Sequence, residues 1–330
     1  MNLTKTLTPF QAHPLVPGGH LQTIVGYYLP QIKQLRPHKV HLVEVDGGDK
    51  LAVLENTPGR KTSFKKIIVL MHGLGGDDSS PYMLRLADLF VKRGWTVFRM
   101  NHRGCGMGKG LARGLYHSGR SDDISQVLQF IEHLYPDVPA LAVGFSLSGN
   151  ALLKLLGENV HDIAGNLQGA VAVTPPIDLA GCADELCRQV NRMYDLRFVR
   201  MLKTAIHERR QAFPDFQNIT FPEKMNIRDF DELCTAPLNG FQSAKDYYNK
   251  CSAKQFLPTI KIPTFLLASL NDPFIPKETF ADIKPHPFLT IYLTQSGGHM
   301  GFVAKNKTSL GSRRWMDYAI LTAAEQFLKK

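Results

Sequence analysis

The chain has 330 residues, 44% hydrophobic and 21% charged, a balance that excludes disordered, collagenous and coiled-coil proteins and suits either two ordinary domains or one large α/β domain with an insertion. No uncharged apolar stretch approaches the roughly 18 to 20 residues of a membrane-spanning helix. The 39 Lys and Arg against 29 Asp and Glu give a net charge of +10, which favours anionic partners. However, the basic doublets Lys65-Lys66, Arg209-Arg210, Arg313-Arg314 and Lys329-Lys330 are short and scattered and match no nucleic-acid-binding signature, so no nucleic-acid partner is expected.

At the N-terminus no apolar segment follows Lys5, and Pro9, Pro14 and Pro17 argue against a helix or a secretion signal. The five cysteines are odd in number and lack Cys-x-x-Cys spacing, which predicts free thiols in a reducing, cytoplasmic setting. The alternating segments His41–Val45 and Leu51–Glu55 flank Asp46-Gly47-Gly48-Asp49 and predict a hairpin. Continuous apolar runs follow at Ile67–Met71, Thr96–Met100, Ala140–Val143, Ala170–Val173, Phe265–Ala268 and Leu289–Leu293, as expected of strands buried on both faces of a parallel sheet. Helical periodicity separates several of them, notably over Met83–Lys92 and Ile124–Leu134, and a further helix is predicted over Ser312–Phe327. This alternation defines an α/β protein with a mostly parallel, doubly wound sheet. From Ile177 to Gln255 the strand rhythm lapses. The expected organisation is a discontinuous core, residues 1–176 and 256–330, with a helical cap insertion over residues 177–255.

The chemistry concentrates at strand ends. In Ala140-Leu-Ala-Val-Gly144-Phe145-Ser146-Leu147-Ser148-Gly149-Asn150 an apolar strand runs through Gly-x-Ser into a helix, the setting of a nucleophile elbow that lifts a serine hydroxyl above the sheet. Ser146 is the candidate nucleophile, the alternative being an ordinary helix N-cap. The usual fifth position of the motif is glycine and here it is Ser148, which predicts tighter packing with the turn retained. Asp272, after the strand Thr264–Ser269, and His299, within Ser296-Gly297-Gly298-His299-Met300-Gly301, supply an acid and a base in later loops. Taken singly, they read equally well as a turn former and a loop residue. Taken together, they permit Ser146 to attack a carbonyl, His299 to shuttle the proton and Asp272 to hold the imidazole. Met71-His72-Gly73-Leu74-Gly75-Gly76 lacks the Lys-Ser/Thr of a phosphate cradle and is expected to form an oxyanion hole from the backbone N–H groups of Leu74 and Leu147. His102 and Arg103, after Thr96–Met100, are expected to fix their loop rather than meet substrate. No metal-ligand spacing is present, so no metal and no cofactor are expected.

These segments, together with Gly19-His20-Leu21-Gln22-Thr23-Ile24, Asn101-His102-Arg103-Gly104-Cys105, Tyr116-His117-Ser118-Gly119, Phe230-Asp231-Glu232, Asp246-Tyr247-Tyr248 and Asn271-Asp272-Pro273-Phe274, resemble the YheT-type branch of the α/β-hydrolases, the AB hydrolase 4 family, related to eukaryotic ABHD-type esterases and lipases. The resemblance implies an α/β-hydrolase fold, a Ser146–Asp272–His299 charge relay and hydrolysis of carboxylic esters, of short- to medium-chain acyl groups or of lipids. Acyl transfer, thioester cleavage and an inactive binding module are the alternatives. A small-molecule or lipid ester is the expected partner, and the positive charge and helical cap also fit a peripheral encounter with a membrane. The oligomeric state is open.

Overall fold

The apolar runs form the frame of the molecule. The computed structural model describes residues 3–29, 32, 34–59, 66–158, 160, 163–284 and 286–329; Lys65 and Lys330, each half of a basic doublet, lie outside the described residues. Strands β1 (Lys39–Glu44) and β2 (Lys50–Asn56) pair antiparallel with His41 opposite Val53. They are followed by β3 (Ile67–Met71), β4 (Thr96–Met100), β5 (Ala140–Phe145), β6 (Leu167–Val173), β7 (Thr264–Ser269) and β8 (Leu289–Thr294). The eight strands lie in the order β1-β2-β4-β3-β5-β6-β7-β8, with β2 antiparallel to β4 and every later pairing parallel. The chain leaves β3 for β4 on one side and returns to β5 on the other. A crevice therefore opens at the carboxyl ends of β3 and β5, where open α/β sheets gather ligands.

Helices α1 (Leu3–Thr6), α2 (Gly18–Tyr28), α3 (Pro81–Val91), α4 (Ser121–Leu134) and α5 (Leu147–Glu158) belong to the first part of the chain. The strand period of two divides the core: Val69 and Met71 pack with Val127, Leu128 and Leu152 of α4 and α5, while Ile68 and Leu70 pack with Leu86 and Phe90 of α3. The second layer is completed by Trp315 and Ile320 of the C-terminal helix over Trp315–Phe327. Burial of each such large apolar side chain contributes about 1.5–3 kcal/mol.

Between β6 and β7 lie α6 (Leu179–Cys187), the long α7 (Arg192–Ala212), α8 (Ile227–Phe230), a π-turn over Asp231–Thr235, α9 (Ala236–Leu238) and α10 (Ala244–Cys251). They carry two small apolar clusters of their own, one around Tyr247 and Tyr248 and one around Ile206 and Phe230. The following turn, Ala253–Thr259, already packs in the main core through Ala253 and Leu257. The C-terminal helix is α11 (Trp315–Phe327).

Two sequence expectations change. β8 is not buried on both faces: it is the last strand of the sheet, and its middle residues, Thr290 to Leu293, are part-exposed. The proline-rich N-terminus does hold a helix, the short α1 ahead of Pro9, whose Leu3 joins the core. Two arginines of the basic doublets lie inside the fold. Arg209 is buried and donates to the carbonyls of Arg103 and Gly114, and the buried Arg314 donates to that of Gly26. All five cysteines are free thiols.

Candidate active site

β5 delivers Ser146 to the crevice. Its φ of 52° lies in the left-handed region, an uncommon conformation for a non-glycine residue that the sharp strand-to-helix turn imposes. The same φ departs from the extended backbone of an N-cap, and the hydroxyl faces His299 instead. The turn closes because its neighbours are small. A Cβ on Gly144 would stand 2.4 Å from the carbonyl oxygen of Ser148, and one on Gly149 would stand 3.1 Å from that of Gly144.

His299 Nε2 lies 2.9 Å from Ser146 Oγ, and His299 Nδ1 lies 2.8 Å from Asp272 Oδ2. A neutral imidazole with its proton on Nδ1 satisfies both contacts, donating to Asp272 and accepting from Ser146. Asp272 also forms the turn that its Asp-Pro sequence suggests, because Oδ1 accepts from the Phe274 N–H at 2.8 Å. Asp272 therefore closes its turn with one carboxylate oxygen and meets His299 with the other. The His299 loop is pinned from two sides: Asn271 Oδ1 accepts from the Gly298 N–H at 3.0 Å, and Thr23 Oγ1, on α2, accepts from the His299 N–H at 2.8 Å. Gly19 lets α2 come this close, since a Cβ there would fall 1.8 Å from the Asn271 carbonyl oxygen. Local spacing assigns neither Thr23 nor Asn271 such a role, although each lies in a short motif noted above.

The glycine loop after β3 turns its amides in a defined way. The Gly73 N–H donates to Tyr82 Oη and the Gly75 N–H to Tyr116 Oη, each at 2.9 Å. Between them, the Leu74 N–H has no protein acceptor among the described residues. The Leu147 N–H is likewise left over, as the first turn of a helix leaves its amides unpaired. Leu74 and Leu147 both line a cavity of about 110 Å³ together with Ser146 and His299. A second cavity, of about 210 Å³, shares Leu74, Ser146 and His299 with the first and is lined by residues of α2 and α7.

Ser148 does more than fill the place of a glycine. Its hydroxyl donates to the His72 carbonyl and lies 2.6 Å from His102 Nε2, which is itself 3.2 Å from that carbonyl. Together these bonds tie the start of α5 to the loops after β3 and β4. His102 is fully buried, and burial followed by the neighbouring His72 holds its pKa well below the usual histidine range. It is therefore neutral at pH 7. Arg103 bridges Asp123, at 2.6 and 2.8 Å, and Asp49, at 2.7 Å. Both residues fix their loops from buried positions, as the sequence suggested.

Asp231 lines the 110 Å³ cavity beneath the helical segment. Burial pushes its carboxyl up to about 6, and Tyr248 Oη donates to it at 2.8 Å. Its signal in the sequence was the pair of short segments Phe230-Asp231-Glu232 and Asp246-Tyr247-Tyr248, to which local spacing assigns no chemistry.

Residues 66–305 match the family model of the α/β hydrolase fold, and the chain belongs to that family. Within it, the chain is of the YheT type: YheT of Escherichia coli strain K12 is 31% identical over 307 residues, spanning 91% of this chain and 88% of that protein. The human phospholipase ABHD3 is 27% identical over 245 residues, 73% of this chain and 59% of that longer protein. Among solved structures, the esterase Pf2001 of Pyrococcus furiosus superposes with a TM-score of 0.57 at 14% identity, covering 91% of this chain and 97% of that one, a likeness of fold.

Proposed function

We propose that the protein is a serine hydrolase that cleaves carboxylic esters through an acyl-enzyme on Ser146. The observation that carries this reading is the unbroken chain of contacts from Ser146 Oγ to His299 Nε2, at 2.9 Å, and from His299 Nδ1 to Asp272 Oδ2, at 2.8 Å. In this reading Ser146 Oγ attacks the ester carbonyl as His299 takes its proton, and the oxyanion receives the N–H groups of Leu74 and Leu147. The tetrahedral intermediate expels the alcohol, which leaves with the proton from His299. Water, deprotonated by the same imidazole, then attacks the acyl-serine and releases the acid. Asp272 keeps the proton on Nδ1 of His299 and stabilises the transient imidazolium. The cavities of about 110 and 210 Å³ meet at Ser146 and offer one compartment to each side of the scissile ester. That the human relative is a phospholipase supports an ester as substrate.

A fluorophosphonate probe tests this reading without knowledge of the natural substrate. Labelling mapped to Ser146, absent in Ser146→Ala, is expected, with ester turnover in that variant lowered by at least about 10⁴-fold. A folded protein that neither labels at Ser146 nor turns over any activated ester would overturn it. Adding ethanol or glycerol to the reaction distinguishes hydrolysis from acyl transfer by the products formed.

A further inference from the structure

The 210 Å³ cavity opens to the surface between two helices whose outer faces are unusual. α2 carries no charged residue, and its outward side chains are apolar: Leu21, Ile24, Tyr27 and Tyr28 are 45, 43, 44 and 69% exposed. α7 lies beside it, with Tyr194 stacked on His20 at 5.7 Å and the Arg197 guanidinium over the Tyr27 ring at 5.6 Å. The first turns of α7 add Met193, 84% exposed, and Leu196, 46% exposed. Arg192, Arg197 and Arg200 are exposed among them. The one acid in this stretch, Asp195, is buried and accepts from the Ile227 N–H at 2.8 Å. The mouth leading to Ser146 is lined by Ile24, Tyr27, Tyr28 and Arg197, and the exposed Met193, Leu196 and Arg200 stand on the adjoining outer side of α7, whose far flank forms a separate groove that also holds Glu223 and Asp229.

We infer that this α2–α7 face docks the protein on an anionic phospholipid surface, with the mouth of the site turned toward the lipid; the inference rests on the ester-hydrolase reading of the same site. Charge complementarity selects the occupant. Apolar side chains gain by entering the acyl boundary, while arginines beside them meet lipid phosphates, and the attraction extends over about a Debye length. A second copy of the chain is a poor occupant, because a two-fold contact over this face would bring the guanidinium groups of both copies together. The interior is suited to delivery, since Ile24, Tyr27 and Arg197 line the same cavity that ends at Ser146 and His299. A lipid ester entering there passes from the bilayer to the nucleophile without crossing water.

The test is co-flotation of the full chain with vesicles of phosphatidylcholine alone or with 30% phosphatidylglycerol. Binding to the anionic vesicles is expected to exceed binding to the neutral ones at least tenfold and to fall in 1 M NaCl. The variants Leu21→Glu, Met193→Glu and Arg200→Glu alter exposed side chains that do not line the 210 Å³ cavity. They should abolish flotation while leaving turnover of a water-soluble short-chain ester within twofold of wild type. Equal binding to both vesicle types, no binding by an active enzyme, or a dimer in sedimentation equilibrium that Met193→Glu dissociates would each overturn the inference. Flotation and ester turnover of the wild-type chain, measured side by side, separate the two readings. A protein that floats but cleaves no ester retains the docking surface and loses the hydrolase assignment; one that cleaves esters and does not float does the reverse.

Discussion

Ser148 illustrates how much one hydroxyl adds to a motif. Sequence spacing treats it as a small residue in the usual place of a glycine, and the fully buried position agrees with that need for smallness. The side chain nevertheless bonds the His72 carbonyl and His102, and so ties the residue after Leu147 to the loop that carries Leu74. Ser148→Ala keeps the volume and removes the tie. Chemical denaturation should show a loss of about 1–2 kcal/mol, the scale of a buried hydrogen bond. Steady-state kinetics should show kcat falling roughly tenfold with KM little changed, less than the loss of a whole oxyanion donor. Asp231 provides a pH-dependent counterpart. Its carboxyl titrates at about 6 in the fold because burial disfavours the charged form, whereas in the unfolded chain it titrates near the ordinary carboxylate value. The folded state therefore holds this proton more tightly. The group's stabilising contribution is fully present below the unfolded pKa and is lost as pH rises through about 6, a cost on the order of 2–3 kcal/mol. Asp231→Asn should flatten that segment of the stability profile between pH 4 and 7, measured by denaturant titration across the range.

α2 shows where local pattern fails as a guide to an element. It begins with two glycines and faces solvent with apolar side chains, while its buried positions are Gln22 and Gly26. This inverts the amphipathic pattern that periodicity detects. The helix is held by tertiary contacts: Gln22 donates to the carbonyls of Val16 and Val303 and accepts from the Val303 N–H, and Gly26 lies so close to Gly301 that a Cβ would stand 2.5 Å from its Cα. The contacts with Gly301 and Val303 span most of the chain and leave no trace in a window of neighbours. The structural consequence reaches His299 through Thr23. Gly19→Ala would force α2 away from the Asn271 carbonyl and release that hold. Activity on a soluble ester should fall at least about tenfold, in line with the sensitivity of catalytic groups to small displacements, while circular dichroism stays unchanged. β5 and α5 contrast with α2, because an apolar run followed by Gly-x-Ser and a second apolar run is a local signal and remains legible without tertiary context.

The sheet and the helical segment after β6 are joined by buried hydrogen bonds, and Asn150 makes two of those at the end of that segment. Fully buried on α5, it donates to the carbonyls of Ser118 and Cys251 and accepts from the Ala253 N–H. It thus links the elbow helix to the loop before α4 and to the end of α10. Asn150→Ala would leave these three backbone groups buried without their partner, and a loss of about 3 kcal/mol is expected from denaturant unfolding. That is a large fraction of the 5–15 kcal/mol typical of a whole domain. Among the described residues no helix is long and apolar enough to cross a membrane. Encounter with lipid would fall to the α2–α7 face, a property of two helices far apart in sequence.

Local sequence was enough to read the class of fold, because a strand buried in a parallel sheet must be apolar throughout and a helix beside it must repeat near 3.6 residues. The strand ends at which Ser146, Asp272 and His299 stand were legible for the same reason: turns at carboxyl ends of strands carry their glycines and polar residues in a short window. Other features depend on groups that meet across the whole chain. The amides of Gly73 and Gly75 are taken by Tyr82 and Tyr116, the His299 loop hangs on Thr23, Asp231 enters the cavity of Ser146, and the apolar face of α2 comes to lie beside the arginines of α7. Hydrogen bonding, burial and surface charge at these places are set by distances in space between residues that sequence order leaves unrelated.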